Sequence, residues 1–192
     1  MAFEQCNRLR SLFSGFNKPW FIAGGWAIDL FVGEETREHK DIEIAIFRND
    51  QIILKEHLQD WKFKKVCTGE FQIWRDELLE LPVHEVHAVN KKNGDHLEIL
   101  LNESNENHWI FRRDLRISYP VHLLFRYTEN SIPFLSPEIV LLYKAKNTRE
   151  KDHQDFMRVK DLLDEDQKLW LKKALELHAP EHKWLQHLQR KG

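Results

Sequence analysis

The sequence predicts an α/β (α+β) chain that ends in a helical part. Three observations predict it. Short apolar runs that suit buried strands alternate with helix-spaced segments up to Leu135. A Gly24-Gly25 pair breaks the chain between the first strand and the first helix. From Ser136 onward the pattern is helical, opened by Ser136 as N-cap, Pro137 in the first helical position and Glu138 in the first turn. The shift divides the chain into an α/β part, residues 1–135, which carries the chemistry, and a helical part, residues 136–192.

Each element follows from its spacing. Phe3, Cys6, Leu9, Leu12 and Phe13 mark a first helix, which Ser14 to Pro19 ends. Trp20–Ala23 is a buried strand, Gly24–Val32 a helix, Gly33–Lys40 a charged loop and Asp41–Phe47 a second strand. Asn49 caps a helix expected to reach Trp61, and Lys62–Cys67 is a strand whose lysines form a solvated face. Phe71–Leu81 fits no single period, and Pro82 closes it. Val83–Val89, the Lys91–Asp95 turn and His96–Leu101 form a hairpin. Asn102–His108 is expected as polar loop. Trp109–Phe111 resumes order ahead of Arg112-Arg113, Ile117–Tyr127 is extended, and Ser131–Leu135 is a loop. In the helical part, Ile139, Leu142, Tyr143 and Lys146 share a face, and Thr148 caps a second helix carrying Phe156, Val159, Leu162 and Leu163. Asp164 and Gln167 form a capping box that opens a third helix to about Leu177. Pro180 stops it, and His182–Leu188 makes a last turn or two.

Composition narrows the function. The chain has 192 residues, 42% hydrophobic and 31% charged, as a globular protein does. A net charge of −2 argues against a generic nucleic-acid binder, which shows a basic excess. Cys6 and Cys67 stand in no ligand spacing, so neither a disulfide framework nor a zinc site is expected. Met1-Ala2-Phe3-Glu4-Gln5 lacks the start of a signal peptide, and no apolar stretch approaches the ~18 residues of a membrane span, so a cytoplasmic protein is expected.

The chemistry centres on the second strand. Residues at i and i+2 of a strand face the same way, so Asp41 and Glu43 are expected side by side, roughly 6–7 Å apart at Cα. Two such carboxylates repel, and a divalent cation between them relieves the repulsion. Gly24 and Gly25 let backbone N–H groups approach a phosphate at the start of a helix. A metal site and a phosphate cradle in one short unit point to nucleoside triphosphate chemistry. His84 and His87 stand three apart on a strand, face opposite ways, and are poor co-ligands.

The run Gly24-Gly25-Trp26-Ala27-Ile28-Asp29, followed by Arg37-Glu38-His39-Lys40-Asp41-Ile42-Glu43-Ile44, resembles the nucleotidyltransferase superfamily and, within it, the aminoglycoside and lincosamide adenylyltransferase branch. Leu141-Leu142-Tyr143-Lys144-Ala145-Lys146 and Arg149 to Phe156 resemble its C-terminal signature. The resemblance implies a polymerase-beta-like mixed sheet with flanking helices. It implies Mg²⁺-dependent transfer of a nucleoside monophosphate, AMP from ATP, to a hydroxyl of a small molecule such as an aminoglycoside or lincosamide antibiotic. It makes Asp41, Glu43 and Glu98 the metal-holding and catalytic carboxylates, with Glu85 and Asp95 as rivals for the third place. Glu43 stands where close relatives more commonly have aspartate. Gly24, Gly25, Trp26, Arg37, Lys144 and Lys151 become candidates for the nucleotide, with Lys144 and Lys151 sharing a face if one helix carries both. Asp29 would order the site or cap a neighbour, and His39 is a weaker candidate for a general base. Glu70, Asp76, Glu77, Glu80 and Glu85 are candidates to line an acidic pocket for a cationic acceptor. Two other readings stay open: a protein or RNA acceptor, and a non-catalytic binding module on the same fold.

Overall fold

The sheet that organises this protein is known from a computed structural model, which describes residues 2–189. Met1 and the last three residues of the expected helical part lie outside the described residues. The chain runs through α1 (Glu4–Leu12), β1 (Trp20–Ile22), α2 (Gly24–Val32), β2 (Glu43–Phe47), α3 (Gln51–His57), β3 (Trp61–Cys67), β4 (Glu70–Ile73), β5 (Glu85–Asn90) and β6 (His96–Asn105). It continues through β7 (His108–Ile110), β8 (Ser118–Pro120), β9 (Phe125–Tyr127), β10 (Pro133–Leu135), α4 (Pro137–Lys144), α5 (Glu150–Val159) and α6 (Glu165–His178). The strands form a mixed sheet in the order β4-β3-β5-β6-β2-β1-β10-β9, with β7 and β8 extending from the far end of β6. β2 pairs parallel with β6, and β1 parallel with β10; the other pairs are antiparallel.

Alternation decides what each face does. Val86 and Ala88 of β5, Leu97, Ile99 and Leu101 of β6, Ile44 and Ile46 of β2, and Trp20 and Ile22 of β1 are all buried and share one face by register. Phe13, at the end of α1, stacks on Trp20 at 4.5 Å and closes that face. Glu43, Glu85, His87, Glu98 and Leu100 fall on the other face. There the end of α4 and the α4–α5 link leave a cavity over them.

Several boundaries differ from the sequence expectation. Asp41 precedes β2 in a bend. Pairing starts where Glu98 N donates to Ile42 O, because the chain arrives from His39, which is tied to α2. Trp61 opens β3 instead of closing a helix, and β6 runs on to Asn105 through the expected loop. The expected Ser131–Leu135 loop contains β10, a three-residue strand held by β1 on one side and β9 on the other, with Pro133 in the first position, where a missing N–H is tolerated. Arg149, not Thr148, is the N-cap of α5; the Thr148 hydroxyl bonds back to Lys144 O and Ala145 O. α4 and α5 are separate helices, so Lys144 and Lys151 do not share a continuous face. The Asp164–Gln167 capping box of α6 is present as expected.

Candidate active site

The carboxylates converge by strand register. Glu43 lies directly beside Glu98, across the parallel β2–β6 pair. On the other side of β6, His87 lies beside Glu98, and Glu85 is two residues back on the same face of β5. Ligand atoms of Glu85, His87 and Glu98 lie within 4.8 Å of one another. His87 Nε2 sits 2.8 Å from Glu85 Oε1, and its Nδ1 sits 3.2 Å from His96 Nε2. Burial, then the neighbouring Glu43, Glu85 and Asp41, push the Glu98 carboxyl up to about 8. Burial also raises Glu43, against the lowering influence of Lys144, Arg149 and Lys151. Carboxylates that raise one another's pKa are the kind of oxygen donors a hard divalent cation relieves, so these residues fit Mg²⁺. Asp41 stands at the rim: its side chain is 61% exposed, 4.0 Å from His96, and lines a separate open hollow beside α1.

The glycine turn is built around Glu43. Gly24 has φ +60°, and a Cβ there would collide with the Glu43 carboxylate. A Cβ on Gly25 would meet Arg37 and His39. Ala23 at the N-cap of α2 gives no side-chain cap, which leaves the first N–H groups of that helix without a side-chain partner at the turn that packs on Glu43. Behind the turn, buried Asp29 accepts from Thr36 N at 3.1 Å and Thr36 Oγ1 at 2.6 Å, and sits 2.7 Å from His39 Nε2. Burial alone would raise Asp29; the bonds from His39 and Thr36 outweigh it and lower the group. Trp26 is 5% exposed and stacks on His39 at 4.5 Å. Asp29 therefore orders the loop, and His39 and Trp26 are sealed into its support.

The helical part contributes cations. Lys144 Nζ lies 2.9 Å from Asp152 and 3.0 Å from Asp155, both buried. Arg149 holds Asp152 at 2.7 Å, and Arg37 reaches Asp155 at 3.4 Å. Burial would raise Asp152, but the bonds from Arg149 and Lys144 bring it down to about 2. Lys144 and Arg149 line the cavity beside Glu43, whereas Lys151 is exposed and only influences Glu43 through its charge.

The cavity measures about 390 Å³, a small-molecule size, and joins Gly24, Glu43, Glu98 and Lys144 in one space. Gly25, Trp26, Arg37, Asp41 and Lys151 are not in its lining. Of the five acids considered for a cationic acceptor, only Glu85 lines it. Glu77 instead pairs with Lys65 at 2.8 Å, and Asp76 lies 3.7 Å from Lys55. Tyr143, Lys146 and Arg149 of the C-terminal signature also line it, as do His84 and the arginine pair Arg112 and Arg113, which the sequence motifs do not single out. The adjacent arginines straight after an apolar run were the available signal.

Among known proteins, a model of the aminoglycoside-2''-adenylyltransferase family matches residues 6–159. A lincosamide resistance protein of Staphylococcus haemolyticus is 26% identical over 157 residues, covering 79% of this chain and 89% of that protein. Two solved structures share the fold. The lincosamide antibiotic adenylyltransferase LnuA with lincomycin bound has TM-score 0.58 and 20% identity, covering 84% of this chain and 99% of its own. ANT(2'')-Ia in complex with adenylyl-2''-tobramycin has TM-score 0.62 and 14% identity, covering 91% and 99%. Among the described residues, no helix is long and apolar enough to cross a membrane.

Proposed function

Because the chain belongs to the aminoglycoside-2''-adenylyltransferase family, we propose that it transfers AMP from ATP to a hydroxyl of a small molecule and releases pyrophosphate. The relatives, a lincosamide resistance protein and two antibiotic adenylyltransferases, put aminoglycoside and lincosamide hydroxyls among the acceptors to screen first. One observation carries the reading: Glu43 and Glu98 stand side by side in one cavity with the Gly24 turn. A group so placed accepts a proton from an attacking hydroxyl efficiently. The acceptor oxygen attacks the α-phosphorus, Glu98 receives its proton, and the bond to the pyrophosphate oxygen breaks. Gly24 and Gly25 offer backbone N–H groups to the phosphates, and Lys144 and Arg149 add positive charge beside them. Glu43, Glu98 and Asp41 would hold Mg²⁺. When bound, that ion supplies charge neutralisation at the phosphates. Trp26, His39 and Arg37 support the turn from behind, and Lys151 acts at longer range.

The test is thermal stability with ATP, GTP, CTP and UTP, with and without Mg²⁺, on wild type and Asp41→Asn. A nucleotide at one hundred times its Kd stabilises by about 2.7 kcal/mol. The expected result is a rise with ATP that needs Mg²⁺ and is lost in Asp41→Asn. No shift with any nucleotide at millimolar concentration would overturn the reading.

A further inference from the structure

The cavity has two cationic ends, and only one is used by the chemistry above. At the Gly24 end, the cations that act on Glu43 are Lys144, Arg149 and Lys151. Two of these, Lys144 and Arg149, are engaged by Asp152. At the other end, Arg112 and Arg113 flank the Tyr143 ring at 5.7 and 5.2 Å, and Lys146 lines the same space. The carboxylates that act on Arg112 are Glu85 and Glu103, not Glu43. Tyr143 OH bonds Asn102 at 3.3 Å, which places this end four residues along β6 from Glu98, about 13 Å away along the strand.

Arg112, Arg113 and Lys146 have no carboxylate within ion-pair distance among the described residues. Arg113 donates to Tyr143 O at 2.8 Å, and Arg112 makes no hydrogen bond there. Both arginines are half-buried, and burial lowers the pKa of each, which is the mark of a cation held out of water without a counter-ion. A cation trio of this kind is completed by an anion; guanidinium groups pair with planar or tetrahedral oxyanions through two bonds at once.

Resting on the reading that the acceptor enters this cavity beside Glu98, we propose that Arg112, Arg113 and Lys146 form an anion subsite that receives a phosphate or carboxylate group of the acceptor. The same cations repel a polycationic acceptor at this end, while the carboxylates that line the cavity, Glu43, Glu85, Glu98 and Asp152, lie toward its other parts. The chain thus keeps its family's transfer chemistry while this end of the cavity selects for a negatively charged group on the acceptor. The rival source of the anion is the nucleotide's own phosphates, which the test separates.

The experiment is calorimetric titration of inorganic phosphate into the full chain saturated with Mg²⁺ and a non-hydrolysable ATP analogue, for wild type and the Arg112→Gln/Lys146→Gln double variant. Neither replaced side chain makes a hydrogen bond or ion pair among the described residues, Arg112 only flanking the Tyr143 ring, and a thermal melt checks folding. The expected result is saturable phosphate binding to the loaded wild type, weakened about tenfold or more in the variant, while the analogue binds both proteins within about threefold. Equal weakening of phosphate and analogue would assign the cations to the nucleotide and overturn the proposal. So would absence of phosphate binding to loaded wild type, or saturable binding of tobramycin to it. If the analogue binds neither protein, the nucleotidyl-transfer reading fails. Phosphate titrated into nucleotide-free protein, and its loss in the variant, then decides the subsite alone.

Discussion

Two sets of charges face each other across the cavity, and they are built on opposite rules. On the sheet, Glu43, Glu85 and Glu98 carry like charge, are placed by strand register, and Glu43 and Glu98 have no ion-pair partner among the described residues. On the helices, Asp152 and Asp155 are more deeply buried, at 2% and 1% side-chain exposure, and each is paired: Lys144 holds both, Arg149 the first and Arg37 the second. Unpaired like charges cost stability and are kept where a ligand completes them; paired opposite charges in the interior fasten one element to another. Under the proposed function the sheet set is the reacting half of the site, and the helix set its frame.

Substitutions should separate the two. Glu98→Gln is expected to reduce adenylyl transfer by about 10²–10⁴-fold while leaving the protein at least as stable, since it removes a repelling carboxyl. Pyrophosphate release alongside a melt checks both halves, and a large loss of stability would break the contrast. Lys144→Met leaves two buried carboxylates without their shared cation, and should destabilise by about 3–5 kcal/mol in urea unfolding. A change below about 1 kcal/mol would mean that the frame does not depend on this pair. Gly24→Ala should cost about 1–3 kcal/mol, part from φ and part from the collision with Glu43. In a Glu43→Ala background the second part disappears, so the double-mutant cycle should show clear coupling.

The smallest effect is on pH, and its sign differs between the two sets. Glu98 is raised from an ordinary 4.5 to about 8, so between those values the folded protein keeps a proton that the unfolded chain has released. Its stabilising contribution is full below pH 4.5 and is lost as pH rises to about 8. Asp152 is lowered from 3.8 to about 2, so its contribution is full above pH 3.8 and is lost as pH falls through about 2. The metal-free midpoint should thus decline from about pH 5 to about 8 in wild type and less in Glu98→Gln, with Mg²⁺ flattening the wild-type slope. An identical slope in both proteins would remove Glu98 as its source.

Much of the reacting half was legible because it lies on local periodicities. Gly24-Gly25 marks a strand-to-helix turn, and the alternation in β2, β5 and β6 puts Glu43 and Glu98 on polar faces. Asp41 escaped this logic because the tie between His39 and Asp29 bends the chain just before the sheet begins. His87 was weighed only against His84, its neighbour in sequence, whereas its partners are Glu85 and Glu98; the latter is set by the register of the hairpin. β10 is too short to show a period. Arg112 and Arg113 lie in a loop whose position depends on β7 and α4. Asp152 and Asp155 look like solvated helix charges until α2 and α4 are packed on α5, so the frame was hidden where the reacting groups were not.

The parallel pairing of β2 with β6 has a consequence for synthesis. Glu43 and Glu98 are in register at a separation of 98 − 43 = 55 residues, with β3, β4 and β5 made in between. Such a contact closes a long loop, and its entropic cost falls before any binding energy returns. A nascent chain therefore leaves the ribosome without a reacting pair until β6 has emerged, and without its cationic frame until α5 follows. Capture of nucleotide by a growing chain would mark the moment at which this fold is finished.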